Sequence, residues 1–165
     1  MATITLQGTP IETSGDLPSV GQQAPDFNLV GVNLQPLALD QLKGSRVILN
    51  IFPSVDTGVC ATSVRRFNQE AAALNNTKVI CISRDLPFAH QRFCGAEGIE
   101  NVISASDFAT GAFSKAYGVL IKDGPFAHLS ARAVVVLDEQ GKVIYKELVP
   151  EIAQEPDYKA ALASL

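Results

Sequence analysis

At 165 residues, with 47% hydrophobic side chains, the chain can bury a core as one domain and is too apolar to stay disordered. Its net charge of −4, with both signs interspersed, gives no electrostatic footprint for nucleic acid. No apolar run approaches the ~20 residues a membrane span needs, and Met1–Gly8 lacks the basic segment and apolar core of a secretory leader, so a cytoplasmic protein is expected.

Thr3 to Leu6 and Ile11 to Thr13 read as two short strands around Gly8-Thr9-Pro10, an N-terminal hairpin. Ser14 to Pro25 is turn-rich. Asp26 to Val30 alternates polar and apolar residues, as a half-exposed strand does, and Leu39 to Leu42 fits one helical turn ended by Gly44. Arg46 to Phe52 is a buried strand. From Cys60 the apolar residues Ala61, Val64, Phe67, Ala71 and Leu74 recur at gaps of three and four, one face of a helix that Asn75-Asn76 ends. Lys78 to Ile82 is a second buried strand. Pro87 suits the first turn of a helix that runs toward Cys94 and stops at Gly95. Thr110 to Tyr117 reads as a helix ended by Gly118, Ala133 to Leu137 as a third apolar strand, and Asp138-Glu139-Gln140-Gly141 as the turn into a strand over Lys142 to Leu148. Tyr158 to Leu165 closes the chain as a helix. Strands alternating with helices predict a three-layer α/β domain over residues 1–165, its central sheet covered on both faces.

Cys60 stands where a strand ends and a helix begins, after Pro53-Ser54-Val55-Asp56-Thr57-Gly58-Val59. The first turn of a helix offers unpaired N–H groups and the positive end of the macrodipole. Both favour a thiolate and make a cysteine there nucleophilic. Thr57, three residues upstream, can present its hydroxyl to the same sulfur, and Pro53 closes the strand and shields the turn. A lone cysteine is otherwise most often a small buried hydrophobe. The other two of the three cysteines are Cys81, inside the apolar strand Val79-Ile80-Cys81-Ile82, and Cys94, at a helix end. Cys81 reads as an inert core residue. An odd number of cysteines without Cys-x-x-Cys spacing supports neither a disulfide framework nor a zinc site. His90, on a polar helix face, and His128 read as solvated surface.

The pattern Pro-x-x-x-Thr-x-x-Cys, filled by Pro53, Thr57 and Cys60, resembles the active-site signature of peroxiredoxins. The longer stretch Asn50-Ile51-Phe52-Pro53-Ser54-Val55-Asp56-Thr57-Gly58-Val59-Cys60 is similar to one branch, the bacterial thiol peroxidases. Ala131-Arg132-Ala133-Val134-Val135-Val136-Leu137-Asp138 and Arg92-Phe93-Cys94-Gly95-Ala96-Glu97-Gly98 resemble two further segments of that branch. The residues alone leave Arg132 open between a strand-end cation that snorkels to water and a charge serving a site. The resemblance implies the second. It also implies a thioredoxin-like fold with a central mixed sheet and an added N-terminal hairpin.

In chemistry the resemblance implies a peroxidase without metal, haem or flavin, of the atypical two-cysteine type. Cys60 becomes a sulfenic acid, Cys94 condenses with it inside the same subunit, and thioredoxin reduces the disulfide. A homodimer is implied as well. Both thiols lie near helix ends, so local unwinding before they join is expected. Phe126-Ala127-His128-Leu129 departs from the family, which more often has small residues before the arginine strand; this bears on substrate shape. Phe27, Phe88, Phe93, Phe126 and Leu129 are candidates for an apolar rim. Two alternatives stay open: a peroxide sensor, which uses the same thiol once, and a thiol–disulfide oxidoreductase, which Thr57 disfavours because it stands where such proteins carry the first cysteine of Cys-x-x-Cys.

Overall fold

The computed structural model describes residues 1–165. Its strands are β1 (Thr3–Leu6), β2 (Thr9–Glu12), β3 (Asn28–Gly31), β4 (Pro36–Ala38), β5 (Arg46–Ile51), β6 (Thr77–Ser83), β7 (Ile103–Ser106), β8 (Ala133–Leu137) and β9 (Val143–Leu148). Its helices are α1 (Gly58–Ala71), α2 (Pro87–Glu97), α3 (Ala112–Ala116) and α4 (Tyr158–Ala163), with a 3₁₀ turn at Leu39–Leu42. Seven strands form one mixed sheet in the order β4-β3-β7-β6-β5-β8-β9, and β1 and β2 form a separate hairpin. This is the expected thioredoxin-like arrangement.

Alternation along the central strands sets the layers, because successive side chains of a strand point to opposite faces. Val47, Leu49 and Ile51 of β5, Ile80 and Ile82 of β6, and Ala133, Val135 and Leu137 of β8 join a 24-residue core that includes Ile4 and Ile11 of the hairpin and Phe113 of α3. Ile48, Cys81, Val134 and Val136 face the other way, into a 14-residue core with Ala61, Val64 and Phe67 of α1, Phe93 of α2, and Tyr158 and Ala161 of α4. The strands are largely apolar on both faces because both faces are covered.

Several boundaries differ from the sequence reading. Leu6 pairs with Thr9, so the hairpin turn is Gln7-Gly8, both at positive φ (50° and 83°), as a two-residue turn of this hand requires. Pro10 therefore lies inside β2, where a two-stranded ribbon leaves its missing N–H harmless. The helix after Pro87 passes Gly95 and ends at Gly98, whose φ of 64° closes the last turn while its N–H donates to the Cys94 carbonyl. Helix α1 begins two residues before Cys60 and ends at Ala71 rather than at Asn75-Asn76. Strands β4 and β7 are additional. Ile103-Ser104-Ala105-Ser106 carries little apolar signal, and β7 exists because it fills the space between β3 and β6.

The pairing of β5 with β8 positions the chemistry. The two strands are antiparallel, with Ile51 opposite Ala133. The end of β5, where the chain enters Pro53–Thr57, thus meets the start of β8, where Arg132 stands.

Candidate active site

Thr57 caps α1 in an extended conformation (φ −99°, ψ 144°). The first main-chain bond of the helix runs from the Ala61 N–H to the Thr57 carbonyl (3.0 Å). The N–H groups of Gly58, Val59 and Cys60 therefore have no acceptor within the helix. Cys60 is fully buried. Its Sγ accepts a hydrogen bond from Arg132 Nη2 at 3.2 Å, across 72 residues of sequence.

Arg132 is only 1% exposed, which rules out the snorkelling alternative. Its Nε donates to the Ile152 carbonyl at 2.8 Å, and its backbone carbonyl accepts the Val149 N–H at 3.0 Å. Nη1 is buried without a partner. A buried cation is costly unless paired and hydrogen-bonded. Here Nε is spent on protein, Nη2 on the Cys60 sulfur, and the hydrogens of Nη1 are left over. A pocket of about 170 Å³ lies at this place, lined by Arg132, Thr57, Gly58, Val59, Phe126, Ile152 and Ala153 together with Leu6 and Gln7 of the hairpin. The arrangement brings a sulfur nucleophile, a cation and unpaired donors to a small, partly apolar recess. Such a recess can hold a hydroperoxide and stabilise charge as its O–O bond opens.

Pro53 is buried at the end of β5. Thr57 lines the recess, but its hydroxyl is not on the sulfur as expected. It donates back to the Ser54 carbonyl at 3.1 Å, because the tight turn before the helix brings that carbonyl within reach. Cys94 is a half-buried free thiol whose Sγ lies 3.4 Å from Ser104 Oγ. It sits in the last turn of α2, where its carbonyl accepts the N–H groups of both Gly98 and Ile99. Cys81 is buried in the sheet, and burial pushes its thiol up to about 12, with a partial counter-effect from the Asn50 amide 3.7 Å away. That is the behaviour of an inert core thiol.

His90 corrects the sequence reading. It is fully buried, with Nε2 3.0 Å from Ser83 Oγ and its ring edge-on to Phe52 at 6.3 Å. Pro87, His90 and Phe93, three residues apart, form the buried stripe of α2, so this polar residue lies on the apolar face of the helix and not on the polar one. His128 is exposed, as expected. Of the five candidate rim residues only Phe126 borders the recess. Phe27 packs edge-on against Phe113 at 5.4 Å, Phe93 lies beneath Arg65, Leu129 packs on the larger core, and Phe88 is 62% exposed. The hairpin wall, Leu6 and Gln7, and the Ile152-Ala153 wall have no local sequence signal.

The sulfur, the arginine and the recess sit on a thioredoxin-like sheet, a fold shared with known proteins. The chain belongs to the Redoxin family, whose model matches residues 19–162. Within it the chain stands with the thiol peroxidases, peroxidases of the peroxiredoxin type. Thiol peroxidases of Mycobacterium tuberculosis (strain H37Rv) and Mycobacterium bovis are each 60% identical to it over 165 residues, all of this chain and 99% of the relative. Among solved structures, a peroxiredoxin-like protein from Aquifex aeolicus superposes with a TM-score of 0.93 at 39% identity, covering 99% of this chain and 95% of that one. A thiol peroxidase from Chromobacterium violaceum shares the fold, with a TM-score of 0.91 at 23% identity over 99% and 95% of the two chains.

Proposed function

We propose that Cys60 is the peroxidatic nucleophile, Arg132 and Thr57 its partners at the peroxide, and Cys94 the resolving thiol. The observation that carries this reading is the 3.2 Å contact to the Cys60 sulfur from Arg132, which lines the recess. The Cys60 thiolate attacks the nearer oxygen of a hydroperoxide in line with the O–O bond. An S–O bond forms, the O–O bond breaks, and the electron pair leaves with the distal oxygen as alkoxide or hydroxide. Arg132, through Nη2 at the sulfur and the spare hydrogens of Nη1, stabilises the negative charge as it moves from sulfur to the leaving oxygen. The Thr57 hydroxyl, whose hydrogen is engaged by Ser54, offers its oxygen lone pairs to the peroxide O–H. The free N–H groups of α1 hold the same molecule from the other side. Pro53, which has no N–H to donate, shields the turn.

The product is a Cys60 sulfenic acid. The Cys94 thiolate then attacks its sulfur and expels hydroxide, which leaves as water, so that a disulfide forms within one subunit. Thioredoxin, a dithiol protein, reduces that disulfide by exchange and is itself oxidised. The wall of Leu6, Val59, Phe126 and Ile152 supports alkyl hydroperoxides as substrates beside hydrogen peroxide. The two cores share one sheet, which supports residues 1–165 as one domain. No helix is long and apolar enough to cross a membrane, and we place the enzyme in the cytoplasm as a homodimer.

Non-reducing peptide mass mapping after one equivalent of cumene hydroperoxide tests the cycle. A Cys60–Cys94 crosslink within a monomer is expected. Oxidised Cys60 beside a free Cys94 would remove the resolving role and favour a sensor, as would peroxide consumption that stops near one equivalent with thioredoxin present.

A further inference from the structure

A polar chain runs from the helix of Cys94 to the turn that opens the helix of Cys60, and no step above uses it. Ser83 Oγ lies 2.5 Å from Asp85 Oδ2 and 3.0 Å from His90 Nε2, and it accepts the Asp85 N–H at 3.1 Å. A carboxylate only accepts, so the single hydrogen of Ser83 goes to Asp85, and His90 must bring its own at Nε2. That defines the tautomer: Nε2 carries the proton and Nδ1, buried without a partner, is bare. Burial pushes the imidazole toward its neutral form, against the nearby Asp85 charge.

The same carboxylate accepts the Ser54 hydroxyl at Oδ1 (2.7 Å) and the Val55 N–H at Oδ2 (2.9 Å), the oxygen that Ser83 also holds. The Ser54 carbonyl in turn accepts both the N–H of Thr57 (3.2 Å) and its hydroxyl (3.1 Å). The main-chain carbonyl of Asp85 is tied to Ser106 of β7, so the carboxylate is anchored to the sheet and not to the turn it holds. Two ion pairs also join α2 to the Cys60 side. Both are at the surface: Arg92 to Asp56 at 2.7 Å, with side chains 62% and 61% exposed, and Arg65 to Glu97 at 2.8 Å, 44% and 35% exposed. Solvated pairs hold weakly, whereas charge-assisted bonds to a half-buried carboxylate are the strong kind.

We infer that Asp85 is the positioning residue of the peroxidatic turn: oriented through Ser83 by His90, it holds Ser54 and Val55 so that Thr57 and the start of α1 face the recess, and it lets the turn go when α2 unwinds. His90 lies four residues before Cys94, so unwinding that frees the resolving thiol reaches the ring that orients Ser83. One carboxylate thereby couples the closed site, which oxidises, to the open one, which forms the disulfide. The inference rests on the roles proposed above for Cys60 and Cys94.

Single-turnover stopped flow with cumene hydroperoxide separates the two steps, and thermal melting reports the fold. In Asp85→Asn, which keeps size but replaces one acceptor with a donor, Cys60 oxidation should slow by roughly 10- to 30-fold, the scale of losing charge-assisted bonds. Conversion of the sulfenic acid to the disulfide should stay at least as fast as in the wild type. Ser54→Ala should slow oxidation about threefold, as the loss of one hydrogen bond does, and add little in the Asp85→Asn background. A general loss of structure would instead slow both steps by the same factor with a lowered melting temperature, and that result overturns the inference. So does oxidation within about twofold of wild type in both variants, less than the loss of one net hydrogen bond. Should Asp85→Asn not fold, the same split in Ser54→Ala decides. Cys60→Ser and the wild-type crosslink serve as controls. If they fail, the functional reading falls first; if they hold and the split is absent, only Asp85 loses its role.

Discussion

Cys60 and Cys81 are equally buried, belong to the same core, and take opposite parts in the proposed cycle. Neither exposes any surface. Cys81 points from the middle of β6 between sheet and helices, with one amide at 3.7 Å as its polar neighbour. Cys60 points from the first turn of α1, with a guanidinium nitrogen at 3.2 Å and a recess beside it. Burial, then, does not distinguish the core thiol from the one proposed to react. What distinguishes them is whether a buried cation and an opening share the sulfur. Cys94 makes a third case: half-exposed, with a serine hydroxyl for company and no cation. It suits a thiol that must travel rather than one that must react in place.

The comparison breaks most sharply if Cys60 is removed. Cys60→Ser should bring peroxide consumption down to the buffer background, since no other sulfur adjoins Arg132; residual turnover in a thioredoxin-coupled assay would move the nucleophile elsewhere. Arg132→Ala should cost about 10²- to 10³-fold in the second-order oxidation rate, the range for removing one charge-stabilising donor. Arg132→Lys should recover little of it, because one ammonium cannot reach both the sulfur and the Ile152 carbonyl. A lysine variant of wild-type speed would mean that charge alone suffices and the fork geometry does not matter. Cys94→Ser should oxidise once at a rate within about twofold of wild type and then stall with thioredoxin, because resolution and not attack is lost. Steady turnover in that variant would reassign the resolving thiol.

The strand–turn–helix around Cys60 was legible in the sequence because it is local. An apolar strand, a proline, a turn and a helical stripe follow one another within one short stretch of chain. Arg132 was legible as a charge at the head of an apolar strand, and the resemblance chose between its two readings. The walls of the recess were not legible. Leu6 and Gln7 stand far from Cys60 in sequence, and only the folding of the hairpin onto the Ile152-Ala153 segment brings them there; Glu151 holds that contact, accepting the Gly8 and Ala153 N–H groups at 2.8 Å each. His90 failed for a different reason. Polarity alone reads as exposure, but a buried histidine is stable where a serine takes its one proton and passes its own to a carboxylate, and those partners come from β6 and the segment after it. β7 was missed because its place in the sheet is set by its neighbours and not by its own composition.

The smallest effect sharpens the contrast from the Cys81 side. Burial holds this thiol at about 12, whereas an unfolded cysteine titrates near 8.5. The folded pKa lies above the unfolded one, so the contribution to stability is fully present below about pH 8.5 and is lost as pH rises toward 12, where the unfolded chain has shed a proton that the folded chain keeps. Cys81→Ala removes that dependence. At pH 7 it should cost about 1–2 kcal/mol, since it deletes one buried heavy atom from a packed site, and peroxidase activity should stay within about twofold of wild type, because a small core cavity of this kind does not reach the recess. Between about pH 8.5 and 10.5 the gap in urea midpoint between variant and wild type should close and then reverse, the wild type losing stability faster by up to about 1.4 kcal/mol per pH unit. The raised Tyr117 and Tyr158 phenols contribute alkaline losses of their own, but both proteins carry them, so they cancel in the difference. A gap that stays constant across that range would mean that Cys81 ionises as readily in the folded protein as in the unfolded one, and the contrast between the two buried thiols would then have to rest on the opening beside Cys60 alone.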